Sequence, residues 1–121
     1  MEPKTIPPAL RTKKRYIVYR IISEKPVEFK DFVEALWNSS FALFGESGTS
    51  ETKMWNIANL YDDKNQSGVI KCEHISVEKM RAAISAVQVV GEIRAAVKVI
   101  GVTGTLKNAQ LKYLGDDKDG I

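Results

Sequence analysis

The sequence has one cysteine, Cys72, and one histidine, His74. A single thiol excludes an intrachain disulfide and fits a reducing, intracellular setting. A single histidine, with carboxylates scattered over turns and exposed helix faces, leaves little for acid–base or nucleophilic catalysis. No apolar run approaches the roughly 20 residues that a bilayer-spanning helix needs. Pro3, Pro7 and Pro8 interrupt any apolar core of a secretory leader. The expectation is a soluble, cytoplasmic chain with no membrane partner.

Positive charge is present, and unevenly placed. Residues 1–25 hold seven Lys/Arg against two acids, whereas residues 26–121 hold eleven against thirteen. The excess belongs to the N-terminal segment, where Arg11, Lys13, Lys14 and Arg15 form a dense arm. With no turn residue between, this arm runs into Tyr16-Ile17-Val18-Tyr19-Arg20-Ile21-Ile22, whose β-branched and aromatic residues suit a pleated strand. Cations anchored on a strand face one place on a small domain, and phosphate is the matching ligand. A solvated tail is the competing explanation for the charge alone.

At 121 residues and 44% hydrophobic, the chain supports one core. Residues 1–10 read as an extended lead-in, 11–114 as a single domain and 115–121 as an acidic, frayed tail. The first strand, at about 15–22, is apolar on both faces, which predicts a central strand. Phe29, Phe32, Val33, Leu36, Ser40, Leu43 and Phe44 lie on one helical face. Gly45 is expected to end that helix, with 45–50 as a polar loop. Met54 to Tyr61 and Val69 to Ile75 read as a hairpin. Ser76 opens a second helix with Val77, Met80, Ile84 and Val87 buried and Gly91 at its end. Ile93 to Thr103 is a long strand, with Arg94 and Lys98 alternating outward, and Leu106 to Leu114 a last helix. The order β-α-β-β-α-β predicts an α+β, ferredoxin-like split sandwich of four antiparallel strands, akin to an RNA-recognition domain, with an extra C-terminal helix. That helix or a partner protein has to cover the second sheet face.

Several local patterns resolve to structure. Asp63 to Gly68 matches the first half of a calcium loop, but His74 stands at the twelfth position, where a bidentate glutamate is needed. Cys72 and His74 are two apart with no second pair to complete a zinc site. An acylphosphatase-like enzyme of this fold needs an arginine-bearing, phosphate-cradling loop after the first strand, and Ser23-Glu24-Lys25-Pro26 is not one. The third strand carries no aromatic, so the base-stacking platform of an RNA-recognition domain is missing. Backbone-directed binding needs only placed cations and shape.

A second basic group follows the last strand, with Lys107 and Lys112 around Gly101-Val102-Thr103-Gly104-Thr105-Leu106. Glycine allows backbone N–H groups close to an anion, and the start of a helix favours one. In the expected fold the first and last strands are antiparallel neighbours. Arg11, Lys13, Lys14 and Arg15 therefore meet Thr103, Gly104, Thr105, Lys107 and Lys112 at one rim. These nine residues are the candidate RNA-binding set, with no catalytic or metal-ligating residue assigned.

The order and spacing of these segments resemble the archaeal and eukaryotic family of ribonuclease P protein component 2 over about residues 6–114. The likeness rests on Ile6 to Arg11 leading into Lys13-Lys14-Arg15-Tyr16, on Phe44-Gly45-Glu46 with Gly48, on Gln66 to Cys72, and above all on Val99 to Lys107. Thr103 and Leu106 depart mildly from the family's Ser-Gly-Thr-Ile, and Asn108-Ala109-Gln110-Leu111 is less basic than the family's last helix. The resemblance implies a non-catalytic subunit of a ribonucleoprotein endonuclease that removes the 5′ leader from precursor tRNA. It implies catalysis by ribonuclease P RNA with bound magnesium ions and no cofactor on the protein. It implies a partnership with ribonuclease P protein component 3, with a homodimer inside a heterotetramer as one assembly. A protein-interaction module without RNA affinity and a small acylphosphatase-like enzyme are the alternatives.

Overall fold

A computed structural model describes residues 13–111. Five strands form one antiparallel sheet: β1 (Lys14–Ser23), β2 (Trp55–Asn56), β3 (Ser67–Glu73), β4 (Val89–Val90) and β5 (Ile93–Thr103), in the order β2-β3-β1-β5-β4. Among the described residues, three helices accompany it: α1 (Phe29–Thr52), α2 (Val77–Ser85) and α3 (Leu106–Ala109). The lead-in 1–10 and the tail 115–121 lie outside the described residues.

β1 is central, as its two apolar faces require. Ile17, Tyr19 and Ile21 point toward the helices and join Phe32 and Leu36 of α1, Ile70 and Cys72 of β3, and Met80, Ala83 and Ile84 of α2. Each aliphatic side chain buried this way contributes about 1.5–3 kcal/mol. Tyr19 stacks on Phe32 with ring centroids 4.6 Å apart. Gly68, beside this stack, leaves room for the phenol: a Cβ there would lie 2.5 Å from the Tyr19 hydroxyl oxygen. On the other face Val18 packs with Val69 and with Ala109 and Leu106 of α3. The C-terminal helix thus covers part of the second face.

Five expectations need correction. The sheet has five strands, because Gly91 (φ 63°) turns a short hairpin in which Val89 and Val90 pair with Arg94 and Ile93. Glycine supplies the left-handed first position such two-residue turns use, so Gly91 does not end α2, which stops at Ser85. Gly45 (φ 74°) does break the helical path, but helix resumes and runs to Thr52. The supposed loop 45–50 is helical since Thr49 and Thr52 are buried, and the Thr49 hydroxyl meets that of Ser40 at 2.8 Å. The second strand shrinks to Trp55–Asn56 and is followed by a 3-10 turn over Ala58–Leu60. Leu43, placed on the buried helix face by its spacing, is exposed, whereas Phe44 beside it packs against the core.

The hairpin motif Gln66-Ser67-Gly68 is a structural staple. The Gln66 side chain accepts from Val27 N (2.8 Å) and donates to Ile21 O and Ser23 Oγ (3.0 Å each), tying the turn to the β1–α1 connection. Asp62 accepts from Lys64 N and Asn65 Nδ2, both at 2.9 Å, holding the turn from within.

Candidate nucleic-acid interface

The start of β1 and the end of β5 lie side by side, with Tyr16 directly opposite Thr103. A one-residue bulge makes this arrangement. Val18 faces Gly101 while Tyr19 faces Val99, leaving Ile100 unpaired. An inserted residue reverses the alternation beyond it. Val97 and Val99 pack on the helix side before the bulge, and Val102 does so after it. Thr103 consequently joins Tyr16 on the outer face.

The candidate residues divide by what holds them. Lys13 is exposed, and its carbonyl accepts from His74 N at 2.8 Å, fixing the strand entry. His74 Nδ1 lies 3.3 Å from the same oxygen. Arg15 donates from Nη1 to Lys14 O at 3.0 Å, and its guanidinium reaches over the turn beyond β5. A Cβ on Gly104 would lie 3.7 Å from that Nη1. Gly104 is not among the glycines with positive φ. Its role is room beside Arg15, and no special backbone conformation is needed. Lys107, on α3, is exposed.

Three residues are engaged with the fold itself. Lys14 pairs with Glu73, whose side chain is 4% exposed. That pairing offsets the lysine's charge and holds β1 to β3, so Lys14 is a structural cation. Thr103 donates from Oγ1 to Thr105 O at 2.8 Å, and Thr105 Oγ1 accepts from Asn108 N at 3.1 Å as the cap of α3. α3 is four residues long, too short for the summed dipole that makes a helix start attract anions. The rim is thus built from side-chain cations, with the Gly-Thr turn as scaffold. Arg11 and Lys112 lie outside the described residues.

Cys72 and His74 do not share a site. The thiol is buried in the core, and burial, with Glu73 adding, pushes its pKa up to about 11; Lys14 pulls the other way. His74 is exposed in the 3-10 turn that follows β3.

Two features escaped the reading of the sequence. Glu73 is 59 residues from Lys14 and becomes its partner only through the β1–β3 register. Arg20 stands opposite Lys98 across β1 and β5. Only the outward alternation of Arg94 and Lys98 hinted at a cationic sheet face.

Fold and rim together define a small α+β domain with cations fixed at one end of a central strand pair and, among the described residues, no coupled nucleophile and base. The chain belongs to the Rpp14/Pop5 family, whose family model matches residues 15–114. It is similar to ribonuclease P protein component 2 of Pyrococcus furiosus, with 38% identity over 93% of this chain and 92% of that one. The same-named protein of Methanosarcina mazei is 35% identical over 94% of this chain and 95% of its own length. In fold the chain matches one in the cryo-EM structure of yeast ribonuclease MRP, with a TM-score of 0.60 and 15% identity over 89% of this chain and 92% of that one.

Proposed function

We propose that this chain is a protein subunit of ribonuclease P that supports an RNA by contacting its backbone. The observation that carries this reading is the family membership over residues 15–114, joined to a rim where Arg15 lies beside Gly104, with Lys13 at the entry to β1 and Lys107 on α3. Cations at that rim offset phosphate repulsion where RNA segments approach each other, which stabilises the folded RNA and lowers its magnesium demand. In this reading the RNA and its magnesium ions perform the cleavage that removes the 5′ leader from precursor tRNA. The chain contributes no reacting group. Ribonuclease P protein component 3 is the protein partner, within an assembly that can contain two copies of each, working in the cytoplasm. The ferredoxin-like description rests on the order β2-β3-β1-β5, to which β4 adds an edge.

Reconstitution tests the proposal. Adding the chain and its partner to ribonuclease P RNA at limiting magnesium is expected to raise the rate of precursor-tRNA cleavage. A rate equal to that of RNA alone would overturn it, and cleavage by the protein without RNA would favour an independent enzyme.

A further inference from the structure

The outer face of the sheet is covered unevenly. At the rim end, α3 lies over Val18 and Val69. At the other end, the described residues leave Ile22 (52% exposed), Ala96 and Ile100 open to solvent, together with Arg20, Arg94 and Lys98. The register puts these three cations on one face. Arg20 pairs with Lys98, its neighbours Ile21 and Val97 both point into the core, and Arg94 lies four residues before Lys98 on β5. Directly opposite residues on paired strands are about 4.5–5.5 Å apart at Cα. Four residues along a strand span about 13 Å. None of the three cations makes an ion pair with a described residue. Glu24 is the one carboxylate among the residues lining the shallow hollow beside Ile22, Val89 and Arg94.

We infer that this open half of the sheet is a second contact for an RNA backbone, made by Arg20, Arg94 and Lys98. The inference rests on the proposed RNA-supporting function and extends it from the rim to the sheet face. An elongated row of unpaired cations matches a polyanion with regularly spaced charge. The same row runs along β1 toward its rim end, with Lys14 about 20 Å from Arg20 along the strand. Lys13 and Arg15 stand there on the alternate side of β1, so an RNA that engages both contacts turns around the end of the sheet. The residues between the cations are aliphatic, which gives ribose a surface to lie on and gives bases no aromatic ring to stack on. The contact is therefore to phosphate and sugar and is insensitive to sequence.

The test is a salt titration of binding to transcribed ribonuclease P RNA by the full chain with its protein partner. Arg20→Gln, Arg94→Gln and Lys98→Gln are combined in one variant, with Lys13→Ala and Arg15→Ala combined in a second. A third variant keeps the charge, with Arg20→Lys, Arg94→Lys and Lys98→Arg. The triple glutamine variant is expected to reduce the slope of log affinity against log salt by about 2 units, at about 0.7 per lost phosphate contact on single-stranded RNA. The charge-keeping variant is expected to retain the slope, and thermal midpoints are expected to match the parent. An unchanged slope in the triple variant, while the Lys13/Arg15 variant loses slope, overturns this inference and leaves the rim reading intact. Loss of protein-partner binding with RNA binding unchanged overturns it in favour of an acidic protein surface. Absence of RNA binding by the parent complex overturns both readings.

Discussion

On its helix-facing side β1 contributes Ile17, Tyr19 and Ile21 to a continuous core, with each of them at most 2% exposed. On the other side the same strand shows Lys14, Tyr16, Val18, Arg20 and Ile22, a mixture that, among the described residues, α3 with Ile57 and Leu60 partly covers. The first face is occupied by α1 and α2, and packing explains Ile17, Tyr19 and Ile21 on it. The second is divided into the Lys14–Glu73 pair at the rim, a small apolar seal under α3 and an open cationic half, while Lys13 and Arg15 stand at the rim end on the alternate side of the strand. One strand thus serves folding on one face and, in the proposed function, RNA contact on the other. Substitutions at Ile17, Tyr19, Ile21 and the paired Lys14 are expected to act through stability, and those at Lys13, Arg15 and Arg20 through RNA.

The sharpest way to break that division is at Gly68. A Cβ there would lie 2.5 Å from the Tyr19 hydroxyl oxygen and 2.8 Å from Cζ, and Tyr19 cannot retreat because it is stacked on Phe32. Gly68→Ala is expected to lower unfolding free energy by about 1–3 kcal/mol despite the usual gain from replacing a strand glycine. Chemical denaturation checks it. Tyr19→Phe in the same background is expected to restore part of the loss, because only the closer contact is removed. RNA affinity of the folded protein is expected to stay the same.

Lys14 sharpens the comparison from the other side, since it stands within the cationic arm yet pairs with the buried Glu73. Lys14→Ala is expected to destabilise by about 1–2 kcal/mol, since a buried carboxylate loses a cation. Glu73→Gln in the Lys14→Ala background is expected to recover part of that loss in a double-mutant cycle. Additive effects would show that the pair is not coupled and would return Lys14 to the RNA-facing set.

How much of this was legible beforehand varies with the range of the interaction. β5 was readable to the residue, Ile93 to Thr103, because its alternation and its turn residues are local. The juxtaposition of the arm with the Gly-Thr turn followed from topology alone. Three things were not legible. The Ile100 bulge changes which face Thr103 occupies, yet one extra residue leaves no trace in a period-two pattern until the partner strand is known. The Lys14–Glu73 pair joins positions far apart in the chain, so the arm looked uniformly free. Gly45 carried a true signal, a left-handed residue, but that signal does not say whether helix resumes beyond it; the burial of Thr49 and Thr52 decides this. Polar composition misled at 45–50 because hydroxyls bonded to one another, as in Ser40 and Thr49, are compatible with a buried helix face.

The account turns on whether the rim cations Lys13 and Arg15 meet phosphate. The most direct measurement is the salt dependence of binding to ribonuclease P RNA for the Lys13→Ala/Arg15→Ala variant, with Lys14 left in place to preserve the fold. A reduction in slope of about 1.4–1.8 units with unchanged stability is the expected result, reflecting two lost phosphate contacts. A slope equal to that of the parent protein would contradict the account.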